Sequence, residues 1–226
     1  MLIVAGITAG IWIFAKVADE MLEGELDARE QLVMRALRTP GDVMVPIGPK
    51  WLRGVTVDVS AMGGMTVLTL VTALVLGYLV LERKFHTVWF LLAATLGGLV
   101  LTLFLKDQFG RERPSVVPHL TETMTASFPS GHSMLSSVVY LTLGALLARS
   151  VAHRRLKVYF LLSALFLSFI IGLSRIFLGV HYPSDVLAGW AAGTAWALLC
   201  WIIARWLQHR GAVEVPRPVE TAASTE

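Results

Sequence analysis

Three separated blocks of this chain hold side chains suited to handling a phosphate group. The first is Lys106, followed by Arg113 and Pro114, in KDQFGRERP. The second is Pro129, Ser130, Gly131 and His132, in FPSGHS. The third runs from Ser174 and Arg175 to His181 and then Asp185. The cations Lys106, Arg113 and Arg175 have no acidic cluster to balance them, which asks for an anionic ligand. Arginine presents planar paired donors that match phosphate oxygens, and lysine adds a compact charge. Ser130, Gly131 and His132 stand where an apolar run begins, so backbone N–H groups and the positive end of a helix dipole are expected to face that ligand. Glycine at 131 lets backbone come close to it without a Cβ in the way.

The two histidines divide the remaining chemistry. Asp185 lies four residues after His181, and Pro183 between them suits the first position of a helix. A carboxylate on one ring nitrogen fixes the tautomer and leaves the other nitrogen free to attack phosphorus. It also stabilises the positive charge that attack creates. His132, at a helix start beside the cations, can protonate the leaving oxygen and then serve as base for water. Fixed guanidinium and ammonium groups would neutralise the charge that Mg²⁺ handles elsewhere, so no metal and no other cofactor is expected. Taken singly, each block has a plainer reading, such as an interfacial cation or a turn before a helix. His86, His119, His153 and His209 lack such company and are read as ordinary.

Those blocks need a scaffold, and composition indicates which kind. The 226 residues are 55% hydrophobic and 15% charged, with a mean hydropathy of +0.67. An ordinary soluble domain has roughly 25% charged residues. A net charge of +3 is too small to suggest a nucleic-acid partner. The single cysteine, Cys200, excludes an intramolecular disulfide, and no Cys/His cluster has zinc spacing. About 20 apolar residues cross a membrane as a helix. Residues 61–81, 87–105 and 186–204 are charge-free runs of that length, and 133–148 and 158–174 are slightly shorter. Residues 1–15 lack the basic start and the cleavage pattern of a signal peptide, so they read as a short first span. The expectation is an all-α, polytopic membrane bundle of about six transmembrane helices.

Three regions follow. Residues 1–60 hold the first helix and a long loop, in which residues 27–38 read as an amphipathic helix placing Leu32, Met34 or Arg35, and Leu37 near one face. Residues 61–208 form the catalytic bundle, and residues 209–226 read as a disordered tail. The short loops at 82–86 and 149–157 are dense in Arg and Lys, namely Arg83, Lys84, Arg149, Arg154, Arg155 and Lys157. Positive short loops face the cytoplasm. Both termini are therefore expected inside, with the phosphate-handling loops outside, in a bacterial inner (plasma) membrane.

Lys106-x6-Arg113-Pro114, Pro129-Ser130-Gly131-His132 and Ser174-Arg175-x5-His181-x3-Asp185 together resemble the three-part signature of the type 2 phosphatidic acid phosphatase (PAP2) family. The resemblance spans residues 106–185 without departure inside the motifs. It implies a six-helix membrane bundle, a phosphohistidine intermediate, and metal-independent hydrolysis of a lipid phosphate or diphosphate. Phosphatidate, phosphatidylglycerophosphate, lipid A phosphate and an isoprenyl diphosphate all remain open as substrates, the last slightly favoured by an outward site. Membrane lipids are the expected surroundings. A phosphotransferase passing the group from His181 to a lipid acceptor is the alternative within the same chemistry. A transporter is disfavoured, because its charges would sit near the bilayer midplane rather than at span ends. A soluble phosphatase or haloperoxidase fails on the apolar runs.

Overall fold

A computed structural model describes residues 1–121 and 125–209 of the chain. The expected tail at 209–226 lies outside the described residues but for the end of the last helix. Eight helices and one small hairpin are described, and the helices fall into a bundle whose functional end gathers several helix termini.

Helix α1 (Leu2–Leu22) spans 21 residues, about 31 Å at ~1.5 Å per residue. It continues well past the apolar run at 1–15, through Lys16, Asp19 and Glu20, with Lys16 and Glu20 paired at 3.6 Å. A span counted by charge-free residues alone ended too early, since charged side chains at a helix end can reach water. Helix α2 (Asp27–Ala36) occupies the predicted amphipathic segment. Its buried residues are Glu30 and Met34, whereas Leu32 is exposed. Its inner face thus carries a carboxylate beside Met34, in place of the expected apolar stripe through Leu32. A two-stranded hairpin, β1 (Arg38–Thr39) and β2 (Asp42–Pro46), follows as a small departure from the all-α expectation. Pro40 and Gly41, the latter at φ +86°, form its turn.

The run at 61–81 is not one straight helix. Its first residue ends α3 (Lys50–Ala61) and, after a break at 62–64, its remainder forms α4 (Met65–Leu81), the two helices bent by 47°. Residues 50–60, part of the long loop expected before residue 61, are instead helical, and Pro49 serves as the N-cap of α3. At the break, a Cβ on Gly63 would lie 2.4 Å from the Ile171 side chain. Tyr140 donates its hydroxyl to the Met62 carbonyl at 2.8 Å, which satisfies backbone that the helix has released.

The remaining helices are α5 (Phe85–Phe109), α6 (Gly131–Ser150), α7 (Arg154–Phe177) and α8 (Pro183–His209). All four are long and apolar enough to cross a membrane, and the bent α3–α4 pair makes a fifth such span. With α1, six rods build the bundle. Outward-facing apolar residues such as Leu74, Trp89, Val100 and Phe166 are exposed, as lipid-facing surfaces require.

Close packing aligns α6 with α8. A Cβ on Gly189 would meet the Ser130 carbonyl at 2.7 Å, and one on Gly193 the Met134 carbonyl at 2.5 Å. Small residues at such a crossing let two backbones approach. Beside it, Val17, Ala18 and Met21 of α1 pack with Phe128 and Ala188. Phe14 and Phe109 close over Phe128, with ring centroids 5.7 and 4.9 Å from it. That cluster fixes the chain just before Pro129, which follows a cis peptide bond.

Candidate active site

The C-terminal ends of α5 and α7 and the N-terminal ends of α6 and α8 meet at one end of the bundle. All three sequence blocks are therefore brought together. Lys106, in the last turn of α5, donates its ammonium to the Ala126 carbonyl. Its stem passes over Gly131, where a Cβ would sit 3.3 Å from Lys106 Cε. Arg113 is held through Nε to the Thr125 carbonyl (2.8 Å) and through Nη1 to the Val180 carbonyl (2.7 Å). Arg175, 5% exposed, donates from Nη1 to Ser60 Oγ at 2.7 Å, while its buried Nε has no partner among the described residues. Lys106 lies within electrostatic reach of both arginines. The cations are thus gathered and oriented by neutral oxygens, which leaves their charge available to a ligand.

His181 is 1% exposed, in the short connection from α7 to α8. Gly179 there has φ +79°, and a Cβ would strike Arg38 Nη2 at 2.6 Å and the Pro118 carbonyl at 2.8 Å. The imidazole faces Asp185 Oδ2 through Nδ1 at 3.4 Å and Arg113 Nη1 through Nε2 at 3.3 Å. One nitrogen thus meets the carboxylate, and the other meets a cation that would hold phosphate. The 3.4 Å separation is loose for a hydrogen bond, and catalytic contacts of this kind tighten when substrate binds. Burial pushes His181 down to about 4, against the raising effect of the Asp185 hydrogen bond and charge and with help from Arg113 and Arg175. The ring is neutral at physiological pH, the state that a nucleophile needs.

Asp185 is fully buried, and its carboxylate meets four groups. Oδ1 accepts from Arg111 Nη1 at 2.7 Å. Oδ2 accepts from the Tyr182 N–H at 2.8 Å and from Ser127 Oγ, and it faces His181. Its backbone carbonyl accepts the Ser130 N–H at 2.9 Å. The sequence reading offered the Ser130 N–H to the anion, and this bond takes it away. Of the three N–H groups expected to face an anion, those of Gly131 and His132 remain. Ser130 itself is the N-cap of α6, its Oγ accepting from the Ser133 N–H at 3.5 Å and from Ser133 Oγ at 3.0 Å.

His132 lies in the first turn of α6, against the α3–α4 break. A Cβ on Gly64 would sit 3.8 Å from its Nε2. Its electrostatic neighbours are Arg175, His181, Arg113 and Lys106. Pro114 is fully buried, and Ser174 turns its hydroxyl back to the Ile171 carbonyl at 2.6 Å, so both shape the site from behind. His119, read as ordinary, bonds through Nε2 to the Pro114 carbonyl at 2.7 Å and braces the loop.

Four further residues belong to this arrangement: Arg111, Ser127, Ser60 and Glu30. Arg111 stands inside the unspecified stretch between Lys106 and Arg113, where a third arginine was the available signal. Burial would lower its pKa, but the charges and hydrogen bonds of Asp185 and Glu30 outweigh that and raise it. Ser127 and Ser60 carried no mark that separates them from the chain's other serines. Glu30 comes from a segment that holds no motif.

The assembly is a cluster of cations beside a neutral, carboxylate-backed histidine at one end of an integral membrane helical bundle. A model of the PAP2 superfamily matches residues 86–209, more than half of the chain, and the chain belongs to that superfamily. It is 28% identical over 151 residues to the phosphatidylglycerophosphatase B of Bacillus subtilis (strain 168), covering 66% of this chain and 73% of that one. It is 37% identical over 116 residues to a lipid A 1-phosphatase of Rhizobium johnstonii, covering 47% of this chain and 43% of the relative. This chain thus spans less than half the length of the latter. The crystal structure of a transmembrane PAP2-type phosphatidylglycerolphosphate phosphatase from Bacillus subtilis superposes with a TM-score of 0.78 at 23% identity, covering 89% of this chain and 96% of that one. That superposition establishes the PAP2 membrane fold.

Proposed function

We propose that this protein hydrolyses a phosphate or diphosphate carried by a membrane lipid, through a phosphohistidine on His181. The observation that carries the reading is the two-sided imidazole, with Nδ1 on Asp185 and Nε2 beside Arg113. Lys106, Arg113, Arg175 and the N–H groups of Gly131 and His132 hold the phosphoryl oxygens. The Nε2 lone pair of His181 attacks phosphorus as the bond to the leaving oxygen breaks, and His132 gives that oxygen a proton. Asp185 stabilises the positive imidazole. A water then loses a proton to His132 and attacks phosphorus, the N–P bond breaks, and inorganic phosphate leaves. The fixed cations carry the charge stabilisation, so no metal takes part.

The basic short loops lie at the end of the bundle opposite the site, which supports an outward-facing site with both termini in the cytoplasm. The longer match to phosphatidylglycerophosphatase B makes phosphatidylglycerophosphate the first substrate to test, beside phosphatidate, a lipid A phosphate and an isoprenyl diphosphate. The test is phosphate release by purified protein in detergent, with EDTA present and with a labelled phosphoryl group. The expected product is labelled inorganic phosphate, and vanadate, which mimics five-coordinate phosphorus, should inhibit. Activity lost to EDTA and restored by Mg²⁺ would defeat the fixed-cation account, and label recovered on lipid would make the enzyme a phosphotransferase.

A further inference from the structure

We propose that Glu30, on the helix that follows the first span, is a positioning residue for His181 that acts through Arg111 and Asp185; this rests on His181 as the nucleophile.

Glu30 is 4% exposed, and both of its carboxylate oxygens are used. Oε2 accepts from Arg111 Nη2 at 2.6 Å, and Oε1 accepts the Ser184 N–H at 2.9 Å. Ser184 is the second residue of α8, so a carboxylate from a distant segment occupies a helix start whose N–H groups have no intrahelical acceptor. Arg111 is then gripped on two edges. Nη2 meets Glu30, while Nη1 meets Asp185 Oδ1 at 2.7 Å and Ser184 Oγ at 2.8 Å. Its guanidinium lies over the Tyr182 ring, 4.3 Å from the centroid, which fixes its plane. With Oδ1 tied to this guanidinium, Oδ2 is left to face His181.

The charges give the pairing a purpose beyond rigidity. Asp185 paired with Arg111 alone is a neutral unit, and a neutral unit gives weak support to a positive imidazole. Glu30 adds a second negative charge, so the chain Glu30–Arg111–Asp185 carries a net negative charge toward Nδ1 of His181. Asp27, 3.8 Å from Arg111, is largely exposed and screened, and cannot replace it. Arg113, at the other ring nitrogen, and the charge of Arg175 oppose a positive imidazole and make the support from Asp185 necessary. A buried ion pair is a weak device for stability, since well-packed apolar residues often do as well. Here the pair ties the first extramembrane segment to the attacking nitrogen.

The experiment measures kcat and KM with p-nitrophenyl phosphate for the full-length protein carrying Glu30→Gln, Glu30→Asp or the exposed control Glu25→Gln. Partners that orient a reacting group typically matter at the level of 10–100-fold, so Glu30→Gln should lower kcat about tenfold with little change in KM. Glu30→Asp, which keeps the charge, should recover part of that loss, and Glu25→Gln should match the unsubstituted protein. In an Asp185→Asn background the same Glu30→Gln change should cost less than about twofold, because its route to His181 has been removed. An unchanged kcat in Glu30→Gln, or an equal loss with and without Asp185, overturns the proposal. If Glu30→Gln lowers the melting temperature too far to assay, Glu30→Asp in the two backgrounds decides by the same comparison. His181→Ala is assayed alongside. Turnover that persists there removes the nucleophile assignment itself, whereas a dead His181→Ala with a fully active Glu30→Gln removes only the role of Glu30.

Discussion

Replacing Asp185 with asparagine changes one charge in a fully buried position and leaves the shape nearly intact. The amide oxygen can still accept from Ser127 Oγ and the Tyr182 N–H, while Arg111 Nη1, now facing the amide NH2, gives up its bond there and keeps Ser184 Oγ, with Nη2 on Glu30. What disappears is the negative charge 3.4 Å from His181 Nδ1. At that distance, with an effective dielectric of about 20, a carboxylate and a positive imidazole attract by about 5 kcal/mol. Arg111, bonded to the same carboxylate at 2.7 Å, offsets part of this. Roughly half of the attraction, about 2–3 kcal/mol, should reach the transition state, which corresponds to a fall in kcat on the order of 10²-fold. KM should hardly move, because Lys106, Arg113 and Arg175 keep their oxygen partners. Steady-state hydrolysis of a lipid phosphate and of p-nitrophenyl phosphate, with thermal unfolding as a check on folding, measures this. A kcat within about threefold of the unsubstituted enzyme would refute the electrostatic role given to Asp185.

Because His181 is depressed to about 4, the free enzyme should keep its attacking base down to acidic pH. The acid limb of kcat/KM, corrected for the substrate's own ionisation, should fall near pH 4, and Asp185→Asn should move it lower still by removing a raising influence. The same depression bears on folding. Its contribution is full above the ordinary histidine value near 6.5 and is lost as pH falls toward about 4, so the melting temperature should drop across that window. Gly63→Ala places a methyl group 2.4 Å from Ile171, so it should destabilise the protein by about 1–3 kcal/mol and displace His132, lowering kcat as well as the melting temperature. In a Cys200→Ser background, Ser115→Cys should react with an impermeant thiol reagent from outside intact cells and Arg154→Cys should not. The reverse pattern would turn the site toward the cytoplasm.

Much of the candidate site was legible because the residues that the structure brings together fall in short local blocks. Lys106, His132, Arg175 and Asp185 stand in terminal turns of helices, Arg113 and His181 lie in the connections beside them, and the helix order carries those ends to one end of the bundle. What escaped was the part that depends on distant contact. Glu30 and Arg111 are 81 positions apart, and nothing near Glu30 marks it as buried. The break at Met62–Gly64 escaped because the run stays apolar through it, and hydropathy does not register a bend. Helix lengths were read short because a charge-free count stops at Lys16, Lys106 or Arg175, although helix geometry continues through residues whose heads reach water or a ligand. The Ser130 N–H was credited to the anion because its competitor, the Asp185 carbonyl, approaches only through the tight crossing at Gly189.

The identity of the phosphorylated residue tests the account most directly. His132→Ala removes the acid and base but not the nucleophile, and a leaving group as good as p-nitrophenolate scarcely needs protonation. Attack should therefore proceed while hydrolysis of the intermediate slows, by the 10²–10⁴-fold range typical of general acid–base catalysis. His132→Ala protein mixed with p-nitrophenyl phosphate and quenched under alkaline denaturing conditions, where phosphohistidine survives, should carry phosphate on His181, seen by peptide mass spectrometry. His181→Ala should carry none and release no nitrophenolate. Phosphate on His132 in the unsubstituted enzyme, or sustained turnover by His181→Ala, would contradict the account and exchange the two histidines or call for direct attack by water.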